Sequence, residues 1–394
     1  MTRLLVEHGA DTSLRTQFGD DALRCAALHG KAEIVEYLVA ESKATVQQRA
    51  DIYSLLGATF VDKIRSAERG LPFWIKAVNI RMKELTAYED RIDVPNPVYD
   101  NALEARDTET LAAIAGNVDA IRMQALVLRE RILGLAHPET IKGICRCAAY
   151  YRDLGADRRC SDMAIYTLKK NYDLAVRYGL FDTLVLCFWD IFKADSTNIQ
   201  LANISEVLEM TVANIKKVVS HSAAAAVDRM MLLSFIRLVH LACRLMSTDN
   251  ETSSVHELVK AAVQTKCHTK DRATLLHLAV DCVYPDPPGR VLMESLLVAG
   301  ADVNTPLHVA VVKWNRYQSQ RDAWLEVINL LLAYGAHVDF VNAKGRRASD
   351  MLPSSVNVFN HVSLQCLAAR TIRTHHLPYH GILPTRLADF VDKH

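Results

Sequence analysis

The sequence predicts an all-α protein built as a helical-repeat solenoid, and three observations carry that expectation. A short string ending in glycine recurs: Leu4-Leu5-Val6-Glu7-His8-Gly9-Ala10-Asp11 returns as Leu296-Leu297-Val298-Ala299-Gly300-Ala301-Asp302 and as Leu331-Leu332-Ala333-Tyr334-Gly335-Ala336-His337. Apolar residues keep helical spacing over long segments between residues 46 and 265. Glycine (15) and proline (11) are scarce in 394 residues, whereas an all-β chain needs turn residues every roughly 8 to 12 positions.

The recurring string reads as a helix ended by a glycine that takes positive φ, with Asp or His opening the turn to the next unit. Thr274-Leu275-Leu276-His277-Leu278-Ala279 and Thr305-Pro306-Leu307-His308-Val309-Ala310 supply the other half of a repeat. Together the two halves resemble the ankyrin motif, whose period is about 33 residues. Met1 to Gly9 reads as the second helix of a repeat, and Gly19 to Ala40 as a whole helix pair in which Ala22 and Arg24 replace the motif's Pro and His. Residues 1–45 are therefore expected to be residual ankyrin repeats and residues 266–360 a second ankyrin set. The second set departs from the motif in two ways. The segment from Thr305 follows Asn304 without the usual hairpin turn, and insertions at Tyr284 to Gly289 and Asn315 to Asp322 separate paired helices.

Between the two sets, residues 46–265 are expected to form a helical region with tetratricopeptide-like repeats. The periodicity predicts helices over Gln47 to Ser66, Pro72 to Tyr88, Thr108 to Leu135, His137 to Leu154, Arg159 to Tyr178, Leu180 to Lys193, Ile204 to Ser220 and Ala223 to Met246. Arg129 to Thr140, followed by Ala148, Tyr151, Leu154-Gly155, Ala164 and Leu168, resembles the helix junction of kinesin-light-chain-type tetratricopeptide repeats. One or two such repeats fit, and the later helices carry no assignable pattern. Asp93 to Val98, with Pro95 and Pro97, is an extended loop by the rules for proline.

Residues 361–394 change character. Ser363 can cap a helix that, at 100° per residue, gathers Leu364, Leu367, Ala368, Thr371 and Ile372 within an arc of about 140° and leaves Arg370 and Arg373 outside it. Pro378 and Gly381 end that helix, and Leu387, Phe390 and Val391 share one face of a second. An anonymous amphipathic pair of this kind docks on the last repeat as a cap. Ser363-Leu364-Gln365-Cys366-Leu367-Ala368-Ala369-Arg370-Thr371-Ile372, however, resembles the elongin-binding box of von Hippel-Lindau-type and SOCS-type substrate receptors. Leu383-Pro384-Thr385-Arg386-Leu387-Ala388-Asp389-Phe390-Val391 is similar to the cullin-selecting box of the same receptors.

Taken in order with Leu55-Leu56-Gly57-Ala58-Thr59-Phe60 and Leu126 to Gly134, these features resemble the fem-1 homologue family over essentially the whole chain. The resemblance implies a non-catalytic substrate-recognition adaptor of a cullin-2 RING ubiquitin ligase that directs proteins with Arg-ended C-terminal degrons to degradation. The implied partners are elongin B and elongin C, cullin-2 with its RING subunit, and the degron-bearing substrates. Elongin binding is expected at Leu364, Leu367, Ala368 and Ile372, and cullin binding at Leu383, Pro384, Leu387, Phe390 and Val391. A complete relative carries several more repeats before the position of Met1, so the degron pocket is expected to fall largely outside this sequence and no degron-binding residue is assigned. The alternative is an ankyrin and tetratricopeptide interaction scaffold without ligase recruitment.

Composition is consistent with a protein that works by contact. A formal charge of +1 gives no diffuse field for nucleic acid or anionic membrane. Glu7 and His8 interrupt the place where a signal peptide needs an apolar core, and no uncharged apolar run approaches about 18 residues. The nine cysteines are scattered without a CxxC pair, so buried reduced thiols in a cytoplasmic or nuclear protein are expected. No phosphate-binding loop, nucleophile elbow or HExxH string is present, and no catalytic residue or cofactor is expected. His375, His376 and His380 are the best metal candidate, but Pro378 breaks the helix that would pair them, and a solvated loop is favoured over a metal site. Cys145 and Cys147, two residues apart, face opposite sides of a helix, and Trp314, Tyr317 and Trp324 form either an exposed aromatic insert or packing for the adjacent helix.

Overall fold

A computed structural model describes the chain except for residues 64–65, 85–93, 195–198, 222–225, 282–288, 303–305, 343–344, 353–355, 357–361 and 393–394. The fold is all-α. Among the described residues the regular structure is helix, with isolated β-bridges at Ala226–His268, His268–Thr274 and Val341–Arg347. The chain divides into two compact units, Met1–Ala194 and Asp195–His394.

The first unit opens with α1 (Thr2–Glu7), α2 (Ala22–Leu28) and α3 (Ala32–Glu41). The second half of the repeat string behaves as a Schellman cap. Gly9 sits at φ 82°, its N–H donating to the Val6 carbonyl while Ala10 N–H donates to that of Leu5, which satisfies carbonyls that a helix end leaves open. Next come α4 (Val46–Asp62), started by a Thr45/Gln48 capping box, and α5 (Ala67–Glu84). These two cross at glycines. A Cβ on Gly57 would lie 2.5 Å from the Trp74 ring, and one on Gly70 would lie 2.8 Å from the Gly57 carbonyl oxygen. Trp74, 2% exposed, donates its indole N–H to the Ser54 carbonyl at 3.0 Å. The segment Leu55 to Phe60 is therefore the contact face of a close helix crossing.

The unit continues with α6 (Thr108–Ile114), α7 (Val118–Leu133), α8 (Pro138–Asp153), α9 (Asp157–Lys170), α10 (Tyr172–Arg177) and α11 (Leu180–Ala194). Two helices expected to be continuous are each split. The periodicity from Thr108 to Leu135 runs across a break at which Asn117 accepts from the N–H groups of Asp119 and Ala120 and starts α7. Asn171 likewise accepts from Leu174 N–H and starts α10 inside the stretch from Arg159 to Tyr178. Asparagine competes for backbone donors better than it continues a helix.

Charges inside this unit are paired. Arg129, fully buried, donates from Nε to Asp62 Oδ2 at 2.7 Å and from a terminal nitrogen to Asp62 Oδ1 and Thr59 Oγ1, both at 3.0 Å. Arg146 adds a 3.3 Å contact to the same carboxylate. Arg81 bridges Glu104 and Asp51, both at 2.9 Å, and Arg131 also contacts these two carboxylates. His137, the N-cap of α8, accepts from Glu139 N–H through Nδ1, so its Nε2–H donates to buried Asp20 at 2.9 Å.

The second unit starts with α12 (Leu201–His221), α13 (Arg229–Leu245) and α14 (Asp249–Gln264). The last of these has no counterpart among the expected helices, because its first turns are polar; a Thr248/Glu251 capping box starts it. Helix α13 is buried along most of its length and packs on α15 (Leu275–Asp281) and α16 (Arg290–Val298). These pair with α17 (Pro306–Arg316) and α18 (Arg321–Ala333) in the stacked fashion of repeats, α15 on α17 and α16 on α18. Gly300 and Gly335, at φ 88° and 86°, close α16 and α18 as Gly9 closes α1. The insertion at Tyr284 to Pro288 and the junction at Asn304 lie outside the described residues. Helices α19 (Leu364–Thr374) and α20 (Thr385–Asp392) end the unit.

Candidate functional site

The C-terminal pair α19 and α20 is where sequence pattern and surface chemistry meet. Ser363 starts α19 by accepting from Cys366 N–H at 3.2 Å. The far end closes as a Schellman motif, with His376 at φ 51°, His376 N–H donating to Arg373 O and Leu377 N–H to Ile372 O. A short turn through Pro384 starts α20, where the N–H groups of Leu387 and Ala388 donate to the Pro384 carbonyl.

Each helix has a narrow buried face, and side chains of both reach the last ankyrin repeat. Cys366 and Ala369 are 1% exposed, and Ala388 and Val391 are buried. Arg370 donates to Asp339 Oδ1 at 2.8 Å. His337 Nδ1 lies 3.2 Å from Cys366 Sγ, and the His337 ring stacks on Phe340 at 4.5 Å. Phe390 closes the cluster edge-on, 5.5 Å from the His337 ring and 6.0 Å from that of Phe340. Within the pair, Arg373 donates to the Asp392 carbonyl at 2.6 Å and the Tyr379 hydroxyl donates to the Asp392 carboxylate at 2.5 Å.

The other face of α19 is in water. Leu364 is 84% exposed and Leu367 45%, and Ala368 lies exposed beside them; Ile372 is half-buried. Leu377, at 47%, and Ile382, at 68%, continue the apolar surface through the turn. On α20, Pro384 and Leu387 are exposed, Leu383 and Phe390 half-buried and Val391 buried. Phe390 thus faces the repeat and Val391 is buried, a division within the expected cullin-binding residues that the sequence pattern did not reveal. The signal that separates them lies at a distance, in His337 and Phe340.

The remaining candidates resolve into packing. Burial pushes the Cys145 and Cys147 thiols up to about 12. Cys187 is also raised, by its contact with Cys160 Sγ at 3.2 Å and by burial. Trp324 is buried, and Trp314 is half-buried beneath Arg321, whose guanidinium lies 4.7 Å above the ring. His380 lies 3.4 Å from the Asp392 carboxylate on an exposed surface. The motif histidines are structural: His277 Nδ1 accepts from the Thr274 N–H at 3.2 Å, and His308 Nε2 meets the Arg346 carbonyl at 3.2 Å.

Comparison with known proteins bears on this surface. The ankyrin-repeat family model matches residues 304–343. Protein fem-1 homolog C of Mus musculus is 30% identical over 419 residues, covering 96% of this chain and 66% of the relative. The homolog C of Danio rerio is 31% identical over 415 residues with the same coverage. Protein fem-1 homolog A of Homo sapiens is 30% identical over 377 residues, covering 86% of this chain and 55% of the relative. The chain thus spans 66% or less of the length of these three relatives, and the match includes all but a small part of its own length.

Proposed function

The chain belongs to the fem-1 homologue family, and from that premise we propose that it is a substrate-recognition adaptor of a cullin-2 RING ubiquitin ligase. Its repeats make it a protein-interaction module. The C-terminal pair gives that module a second attachment surface. In the proposal, Leu364, Leu367, Ala368 and Ile372 bind elongin C of the elongin B–elongin C dimer, and Leu383, Pro384 and Leu387 select the cullin. Phe390 and Val391 hold α20 in place for that contact. The substrates, following the family resemblance, are proteins with Arg-ended C-terminal degrons, and the adaptor itself performs no chemistry.

One observation supports this reading over a plain terminal cap: the apolar stripe that carries the box pattern is the face α19 leaves in water. A cap buries its apolar stripe on the repeat beneath it. Here Leu364, at 84% exposed, has no such burial, whereas the anchoring is done by Cys366, Ala369 and Arg370. Apolar residues at i, i+3 and i+4 on one helix are the pattern that fits a groove on a partner, and a small residue at the centre permits close approach.

The test follows from the exposure. Leu364→Asp with Ala368→Arg changes only groups that water already covers, so the circular dichroism and melting temperature should stay those of the parent. Binding to purified elongin B–elongin C, read by calorimetry, should weaken at least ~30-fold, as expected for loss of a central anchor. Undiminished binding would remove Leu364 and Ala368 from the elongin contact, and a parent chain that does not bind elongin would sink the adaptor reading and leave the interaction scaffold in its place.

A further inference from the structure

The turns that follow Gly9 and Gly335 differ in what two of their residues bind. Two residues after the glycine stand Asp11, Asp302 and His337; four residues after it stand Ser13, Asn304 and Asp339. In the first copy these positions serve the turn itself: the Ser13 N–H and hydroxyl both donate to Asp11 Oδ1, at 2.8 and 2.6 Å. In the last copy both reach out of the turn. His337 contacts Cys366 Sγ, and Asp339, 2% exposed, accepts from Arg370 at 2.8 Å. The turn nearest α19 has exchanged its local hydrogen-bonding residues for two that grip that helix.

We propose that Asp339 and Arg370 are positioning residues that lock α19 onto the last ankyrin repeat in one orientation, with His337 and Phe390 as the apolar seat. The inference rests on the adaptor reading for its purpose: a fixed α19 holds the ligase scaffold at a set direction from the repeats, which a flexible tail cannot do. The geometry itself stands apart from that reading. Arg370 lies outside the exposed stripe, so it directs the stripe without belonging to it. A buried carboxylate answered by a guanidinium from another element is a costly arrangement to leave half-made, and it disfavours any docking that separates the two.

Hydrogen exchange measured by mass spectrometry on the full chain tests this, with peptides from α19 as the reporter and peptides from α17 and α18 as the folding control. Asp339→Asn, which installs the residue type of Asn304, and Arg370→Gln should each speed exchange in α19 by about tenfold, the worth of a charge-assisted hydrogen bond. Exchange in α17 and α18 should be unchanged. Arg370→Lys keeps the charge and should stay within a few-fold of the parent. The proposal is overturned if α19 exchange is unaltered in both variants, if Lys behaves as Gln does, or if α17 and α18 loosen in step, which would make Asp339 a residue of the repeat's own fold. Elongin affinity of the Gln variant gives a separate check: it should fall far less than in Leu364→Asp, and an equal fall would make Arg370 a contact residue and refute the positioning role. Failure of the parent chain to bind elongin would count against the adaptor reading alone, because the exchange result does not depend on it.

Discussion

Gly57→Ala is the most revealing single change in the first unit. On an exposed helix it would be favourable by about 1 kcal/mol, since alanine exceeds glycine in helix propensity by that amount. At this position the new methyl would lie 2.5 Å from both Cδ1 and Nε1 of Trp74 and 2.9 Å from the Gly70 carbonyl. Neither neighbour is a flexible side-chain end. Trp74 is 2% exposed and held by its hydrogen bond to Ser54, and the other contact is backbone. Forcing an extra methyl into such a contact costs about 1–3 kcal/mol, and shifting the indole off the Ser54 carbonyl costs about 1 kcal/mol more. Against the propensity gain, the net is a loss of about 1–3 kcal/mol. Gly116→Ala is the matched control, because nothing lies within 4 Å of its added Cβ; it should be neutral or mildly stabilising. With two units in the chain, a single melting curve would mix their transitions, so native-state hydrogen exchange of α4 and α5 peptides is the assay. Gly57→Ala as stable as Gly116→Ala would refute the argument that the crossing of α4 and α5 leaves no room for a methyl.

Two further predictions concern charge. Arg129→Met should destabilise the first unit by about 3 kcal/mol, because it leaves the buried Asp62 carboxylate only the 3.3 Å contact to Arg146, while adding Asp62→Leu to it should recover much of the loss; native-state hydrogen exchange of α4 and α7 peptides in the single and double variants decides it, and equal stabilities would remove the ion pair from the account. Burial lowers the pKa of His277, His308 and His337 in the second unit. The unfolded chain then takes up protons that the folded chain refuses, so stability is whole above the unfolded histidine value of about 6.5 and is lost as pH falls below it. The opening free energy of α17 and α18, from native-state hydrogen exchange referred to the intrinsic rates at each pH, should be lower at pH 5.5 than at pH 7.5, and His308→Asn should shrink that gap; a gap unchanged by the substitution would assign it to other groups.

Much of the fold was legible because ankyrin-type units repeat inside one chain. The strings ending at Gly9, Gly300 and Gly335 specify the same cap three times, and each cap forms. Helix ends set by a single asparagine were less legible: Asn117 and Asn171 interrupt apolar periodicities that continue on either side, so pattern alone joined what a side-chain cap divides. Pro72 misled in the opposite sense. The sequence placed a helix start there, but α5 begins at Ala67 and carries the proline within it, the packing of Gly70 on α4 outweighing the lost N–H. The candidate site was half visible. The stripe from Leu364 to Ile372 could be drawn from spacing, but which side of α19 faces the body depends on His337, Asp339 and Phe340, and no local pattern links residues about thirty positions apart.

The buried charge network of the first unit also bears on how such chains are inherited and recombined. Asp51, Asp62, Arg81, Glu104, Arg129, Arg131 and Arg146 come from α4, α5, the segment before α6, α7 and α8, and each is answered by a partner on another of these elements. A crossover between two relatives that falls inside this stretch would separate carboxylates from the guanidiniums that satisfy them unless both parents carry the same charges. Viable chimaeras should therefore exchange the stretch from α4 to α8 as a block, with breakpoints before α4 and after α8.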